Sequence, residues 1–196
     1  RGRIGAVSQI RRHFRVMVAR DEICIAQMMF AGSYAGAEAT MLHLAQALRG
    51  ATRRSLAYLV LETRAGRARC AELVDRARKF DVELRIFETD RRYDASLLQK
   101  INESMIADRV DVVHSHSYKS AIAEWWQCGN ARARRGRVFT VHGFDQTGPK
   151  GAAFESAVNA AALAASDRVI AVSETVAAGC RRLGAGLQHQ RRRRRR

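Results

Sequence analysis

No apolar run in the 196-residue chain approaches the length of a membrane-spanning helix, so none is expected. Cysteine is sparse and scattered. Cys24, Cys70, Cys128 and Cys180 form no Cys-x-x-Cys pair, which argues against a zinc knuckle or a thioredoxin motif. That spacing fits reduced, packed thiols in a cytoplasmic protein. Missing too are the Gly-x-Gly-x-x-Gly dinucleotide fingerprint, the Gly-Lys-Ser/Thr ending of a P-loop and a nucleophile elbow, so a triad hydrolase is not indicated. Acids are absent from residues 1–20, which carry six arginines, and residues 191–196 are arginine throughout. These tails hold twelve of the sixteen net positive charges and leave +4 between them, so no specific nucleic-acid partner is expected. Residues 1–20 read as a basic extension, either solvated or resting peripherally on anionic lipid at the inner face of the membrane.

What the chain does have is a change of hydrophobic period. Residues 22–29 form a short, mostly apolar run of the kind a buried parallel strand shows. After Gly32-Ser33-Tyr34-Ala35-Gly36-Ala37-Glu38, the residues Met41, Leu44, Ala45 and Leu48 mark one helical face that stops near Gly50. A glycine turn between a strand and a helix leaves unpaired N–H groups at the positive end of the helix, a natural seat for phosphate. Gly32 and Gly36 have a second reading, in which they only supply positive φ or close helix-strand packing.

The alternation then repeats. Strands are expected at 55–61, 82–87, 110–114, 137–141 and 168–172. Helices are expected between them, with Cys70, Leu73, Val74 and Ala77 facing inward in one, Ala95–Ala107 forming the next, and Ile122, Trp125 and Trp126 anchoring another. An alanine-rich helix is expected over 152–165. Ser173 sits at an N-cap position, Glu174 in the first turn, and Val176, Cys180 and Leu183 define a last face that ends at Gly184. Six strands alternating with helices require a parallel sheet covered on both faces, a three-layer α/β/α Rossmann-like fold whose site lies beyond the C-terminal ends of the strands. Three polar loops emerge there, at 32–38, 114–119 and 142–148.

His114 ends the apolar pair Val112-Val113 and reads as a packed, hydrogen-bonded residue, whereas His116 lies in the loop. Together they have the spacing of a two-histidine metal corner, but no third ligand is evident and no metal is expected. His142 follows the fifth strand and is itself followed by Gly143, whose small size lets a ligand approach the backbone.

Four segments, in this order, resemble the N-terminal domain of GT-B glycosyltransferases of the family 4 type. They are Gly32 to Glu38 before a Leu-Ala-x-Ala-Leu helix, Asp111-Val112-Val113-His114-Ser115-His116, Thr140-Val141-His142-Gly143, and Asp167-Arg168-Val169-Ile170-Ala171-Val172-Ser173-Glu174. The resemblance covers residues 22–184; Ala35 stands where the family usually has a glycine. It implies the N-terminal half of a GT-B fold and transfer of a sugar from a nucleotide-diphosphate sugar to an acceptor hydroxyl of a glycan, lipid or small molecule, usually with retention. His142 would be the catalytic residue beside the transferred sugar. Gly32, Gly36, Ala37, Glu38, His116, Lys119 and Gly143 would bind substrate. No Asp-x-Asp is present, in keeping with the family's metal-independent chemistry, and no cofactor is implied.

The organisation expected is therefore a basic extension at 1–20, a domain at 21–184 and a disordered basic tail at 185–196. The resemblance places a second, donor-binding domain after Gly184 with a Glu-x7-Glu motif, and the arginine tail offers none, so a fragment inactive by itself is expected. Two alternatives stand beside this reading. A nucleotide-binding oxidoreductase of the NAD(P) type would use Glu62, at the end of the second strand, as its ribose-binding acid. A non-catalytic basic binding module would act through the charged tails.

Overall fold

The computed structural model describes residues 23–91, 94–128, 135–143 and 149–184. The basic extension, the arginine tail and most of the loop expected at 142–148 lie outside the described residues.

Strand β1 (Cys24–Ala31) leads to helix α1 (Gly36–Leu48), then β2 (Arg54–Glu62), a single 3-10 turn at Thr63–Ala65, α2 (Arg67–Ala77) and β3 (Glu83–Thr89). Next come α3 (Ala95–Ala107), β4 (Val112–Ser115), α4 (Tyr118–Cys128), β5 (Gly136–Val141), α5 (Pro149–Ala165), β6 (Arg168–Ala171) and α6 (Glu174–Arg182). The strands form one parallel sheet in the order β3-β2-β1-β4-β5-β6. This is the expected alternation. None of the described helices is long and apolar enough to cross a membrane.

Helices cover both faces of the central strands, which is why these strands read as nearly continuous apolar runs. On one face Met29, Ala31, Leu59 and Leu61 meet Met41, Leu42 and Ala45 of α1 and Cys70, Leu73 and Ala77 of α2. On the other, Cys24, Ala26, Met28, Leu56 and Val60 pack against Leu97, Ile101 and Met105 of α3 and Ala123 of α4. A third cluster joins Phe139 and Val141 of β5 to Ala121 of α4, Ala162 and Leu163 of α5, and Val176 and Cys180 of α6. Each fully buried Leu, Ile or Met side chain contributes roughly 1.5–3 kcal/mol through removal of its surface from water.

Several boundaries differ from expectation. The first strand continues two residues further, to Ala31, because its parallel ladder with β2 runs until Ala31 meets Leu61. The fourth begins at Val112, since the Asp111 N–H donates to Cys24 O as the chain enters the sheet. The largest difference concerns α4. Trp125 and Trp126 do not anchor it: they are 54% and 66% exposed. The inward positions belong to Ser120, Ala121, Ala123 and Glu124, and the buried Glu124 carboxylate accepts from Arg135 Nε at 2.9 Å. Small residues let the helix sit close to its neighbours, and that closeness leaves no room for two indoles on the same side. The ends behave as expected for α6, where Ser173 Oγ accepts from the Val176 N–H at 3.2 Å and Gly184 adopts φ 91°.

The far end of the sheet is held by Asp108. Its carboxylate accepts from Tyr58 Oη at 2.6 Å, from Arg85 Nη2 and Nε at 2.9 and 3.0 Å, and from Arg54 Nη2 at 3.1 Å, tying α3 to β2 and β3. Burial opposes its charge, but the Arg85 and Tyr58 hydrogen bonds and the two guanidinium charges hold its pKa below the usual carboxylate range. Asp108→Ala would leave a part-buried pair of guanidinium groups and a phenol without their acceptor and is expected to cost about 3 kcal/mol in urea denaturation. Asp167→Ala, at the exposed Arg137 pair, should cost under about 1 kcal/mol. Because the folded pKa of Asp108 is depressed, its stabilisation is complete above the unfolded value and is lost as pH falls through the folded one.

Candidate functional site

The order of strands reverses between β1 and β4. From β1 the chain steps outward through α1 to β2, and from β4 it steps the other way through α4 to β5, so the loops after β1 and β4 part and open a crevice. The two strands are tied at its floor. The His116 N–H donates to Met28 O at 2.9 Å, and the Phe30 N–H donates to Ser117 Oγ at 3.4 Å.

One wall is the N-terminal end of α1. The Ala39 N–H is the first to find a helical partner, Ala35 O at 3.0 Å, which leaves the N–H groups of Gly36, Ala37 and Glu38 as the open turn of the helix. Glu38 is buried, and its Oε2 accepts from the Ala35 N–H at 3.0 Å. Its carboxylate therefore closes the helix end, so Glu38 can offer a ligand its backbone N–H. Gly36 settles which role of glycine applies there. Its φ is not positive, and a Cβ built on it would meet nothing within 4 Å, so neither backbone conformation nor internal packing requires glycine. Gly143 has the same open space. Gly32 sits half-buried in the turn itself.

The other wall is a row of imidazoles along one side of β4 and β5. His114 Nε2 and Thr140 Oγ1 share a hydrogen bond of 2.7 Å, which makes His114 the packed residue the sequence suggests. His116, 3% exposed, is hydrogen-bonded at both nitrogens: Nδ1 to His142 Nε2 at 3.1 Å, and Nε2 to Gln27 Oε1 at 2.8 Å. Ring centroids are 4.4 Å apart for His114 and His116, and 5.4 Å for His116 and His142. Burial lowers the pKa of His114 to about 4 and that of His116 to about 2, with neighbouring imidazoles adding to the effect. His142 is half-buried, and burial lowers its pKa as well. All three rings are neutral at pH 7. Among the described residues, no group of three or more His, Cys, Asp and Glu is arranged to hold a metal ion.

The Glycosyltransferase Family 4 profile matches residues 34–190, most of the sequence. The chain belongs to that family. Among curated proteins, none matches the sequence. Among solved structures, Anabaena Alr3699/HepE in complex with UDP and glucose superposes with a TM-score of 0.64 at 16% identity, over 83% of this chain and 41% of that one. The same protein with UDP-glucose gives 0.61 at 17% identity, again over 83% and 41%. A candidate UDP-N-acetylglucosamine 2-epimerase from Listeria monocytogenes gives 0.56 at 16%, over 83% and 42%. At these identities the likeness is one of fold, a Rossmann-like half of a GT-B architecture. This Family 4 chain spans about two fifths of the length of those structures.

Within this Family 4 domain, the expected residues fall into two groups. Gly36, Ala37, Glu38, His116, His142 and Gly143 lie at the C-terminal edge of β1, β4 and β5, around the crevice. Lys119 follows in the first turn of α4, but its ammonium is paired with Glu62 across the end of β1. That pair engages both the lysine expected to bind substrate and the acid on which an NAD(P)-type reading depends. Gln27 is the residue that sequence reasoning missed. Its signal is a single amide inside an otherwise apolar strand covered on both faces, where a polar side chain must find a partner.

Neutral, buried imidazoles make stability depend on pH. Below the ordinary histidine value of about 6.5 the unfolded chain binds protons that His114 and His116 refuse when folded, so stability falls as pH falls. Between pH 6.5 and 5 the loss should approach about 2 kcal/mol for each of the two rings. Urea unfolding at a series of pH values checks this, and His116→Gln should lessen the slope. A flat profile over that interval would contradict the neutral row.

Proposed function

We propose that this chain is the acceptor-side domain of an enzyme that transfers a sugar from a nucleotide-diphosphate donor to an acceptor hydroxyl, with retention of anomeric configuration. The observation that carries the reading is the pairing of an open helix end at Gly36, Ala37 and Glu38 with the half-buried, neutral His142 across one crevice. In transfer, the bond between the anomeric carbon and the diphosphate oxygen breaks and a bond to the acceptor oxygen forms. Charge grows on the departing diphosphate, where preoriented N–H groups stabilise it without having to reorganise. His142 orients the transferred sugar, Gly143 leaves room for it, and His116, from beneath, holds His142 in place.

Family membership supports glycosyl transfer as the reaction class, and the UDP and UDP-glucose bound to Anabaena Alr3699/HepE support a uridine nucleotide as the first donor to try. His116 has both nitrogens engaged, in keeping with chemistry that uses no metal held by this domain. The Lys119–Glu62 pair could open to offer its cation to an anionic acceptor. Residues 1–20, with six arginines and no acid, suit peripheral contact with anionic lipid headgroups on the cytoplasmic side.

Titration of the 196-residue chain with UDP-glucose, followed by amide resonances, tests the site directly. Weak, saturable shifts at Gly36, Ala37 and Glu38 are expected, without sustained release of UDP, because one wall of a water-excluding cleft is a poor catalyst. Shifts elsewhere only, or turnover by this chain abolished by His142→Ala, would contradict the proposed division of labour. In a complete enzyme containing this domain, His142→Ala should lower kcat by roughly two orders of magnitude at saturating donor and acceptor, as for loss of one preorganised polar group, with its circular dichroism unchanged.

A further inference from the structure

Gln27 lies in the middle of β1 with no exposed surface. Its ladder partners are Ala57 of β2 and His114 of β4, so it faces the same side of the sheet as the imidazole row. The 2.8 Å contact of its Oε1 with His116 Nε2 is the hydrogen bond its side chain makes among the described residues, and its buried Nε2 has no partner there. A buried amide N–H₂ without an acceptor is costly, so the contact with His116 is the one satisfied polar interaction of this side chain among the described residues.

We propose that Gln27 is a positioning residue whose side-chain oxygen, by accepting the Nε2–H of His116, fixes the tautomer of that ring and, through it, the tautomer of His142. A side-chain carbonyl oxygen carries no proton, so the proton in the Gln27–His116 hydrogen bond belongs to His116 Nε2. His116 is buried among apolar strands and two other rings and is neutral, so it carries that one proton and its Nδ1 is a bare lone pair. The 3.1 Å contact between His116 Nδ1 and His142 Nε2 then draws its proton from His142. A neutral His142 that donates from Nε2 keeps Nδ1 as an acceptor.

The consequence, which rests on the sugar-transfer reading above, is a division of polarity across the crevice. The end of α1 offers donors only, suited to phosphate oxygens. His142 Nδ1 offers an acceptor only, suited to a sugar hydroxyl and closed to phosphate. Without Gln27, His116 could carry its proton on either nitrogen, and His142 would present an N–H to the same place for part of the time.

Nitrogen-15 spectra of the histidine rings, taken on the whole 196-residue chain at pH 7 with no ligand, test this. The rings are assigned through His114→Gln and His142→Gln. In the wild type, both His116 and His142 should show a protonated Nε2 and a bare Nδ1. In Gln27→Met, the His142 Nδ1 resonance should move toward the protonated position while the amide spectrum away from the row stays in place. A wild-type His142 with its proton on Nδ1 overturns the proposal, as does a folded Gln27→Met chain whose His142 tautomer is unchanged. If Gln27→Met does not fold, the wild-type tautomers decide. Because the measurement needs no donor sugar, it can fail while UDP-glucose still shifts the amides of α1, or succeed when UDP-glucose does not bind.

Discussion

The pairing of β1 with β4 is the constraint on which the site depends. Right-handed crossovers carry the chain outward from β1 to β3, and α3 must then return it across the sheet to lay β4 against the free edge of β1. Only this return brings residues nearly ninety positions apart in sequence into contact. Cys24 donates its N–H to Asp111 Oδ2 at 2.8 Å at one end of the seam, and Phe30 meets Ser117 at the other. Between them, Gln27 stands beside His114 in the ladder. The crevice is the place where two strands held this tightly send their loops in opposite directions.

Much of this was legible from hydrophobic period. The runs around residues 55–61 and 137–141 are strands because they must be apolar on both faces, and Ser173 and Gly184 punctuate α6 as their chemistry requires. The loops near Gly36, His116 and His142 could be placed at one edge because parallel strands all end on the same side. What could not be read was which partner each polar group would take. Glu38 turned back onto Ala35, and Lys119 met Glu62, through side-chain geometry that has no period. The tryptophans of α4 mislead for a related reason: size signals burial on average, but α4 turns inward the face whose residues its neighbours can receive, Ser120, Ala121, Ala123 and the Arg135-paired Glu124.

Polar residues inside the domain are placed with economy. At the lower end of the sheet Asp108 gathers two arginines and a tyrosine, and on α4 Glu124 meets Arg135, so charges there are matched by charges. Near the crevice the rule changes. Gln27, His116 and His142 form one hydrogen-bonded string of neutral groups and His114 and Thr140 a separate neutral pair beside it, with the Lys119–Glu62 ion pair standing apart at the neighbouring strand ends. A neutral network in a low-dielectric setting keeps directional preference without creating a strong field that would bind any ion at hand.

The closure of α1 by Glu38 bears on how an anion would leave. A carboxylate in the first turn offsets part of the positive end of the helix, so the three open N–H groups would hold an anion by direction more than by field. Attraction of that kind is short-ranged. It would grip an oxygen seated at the correct angle and fade within an ångström or so of displacement, so an anion bound there would be let go as soon as it shifted.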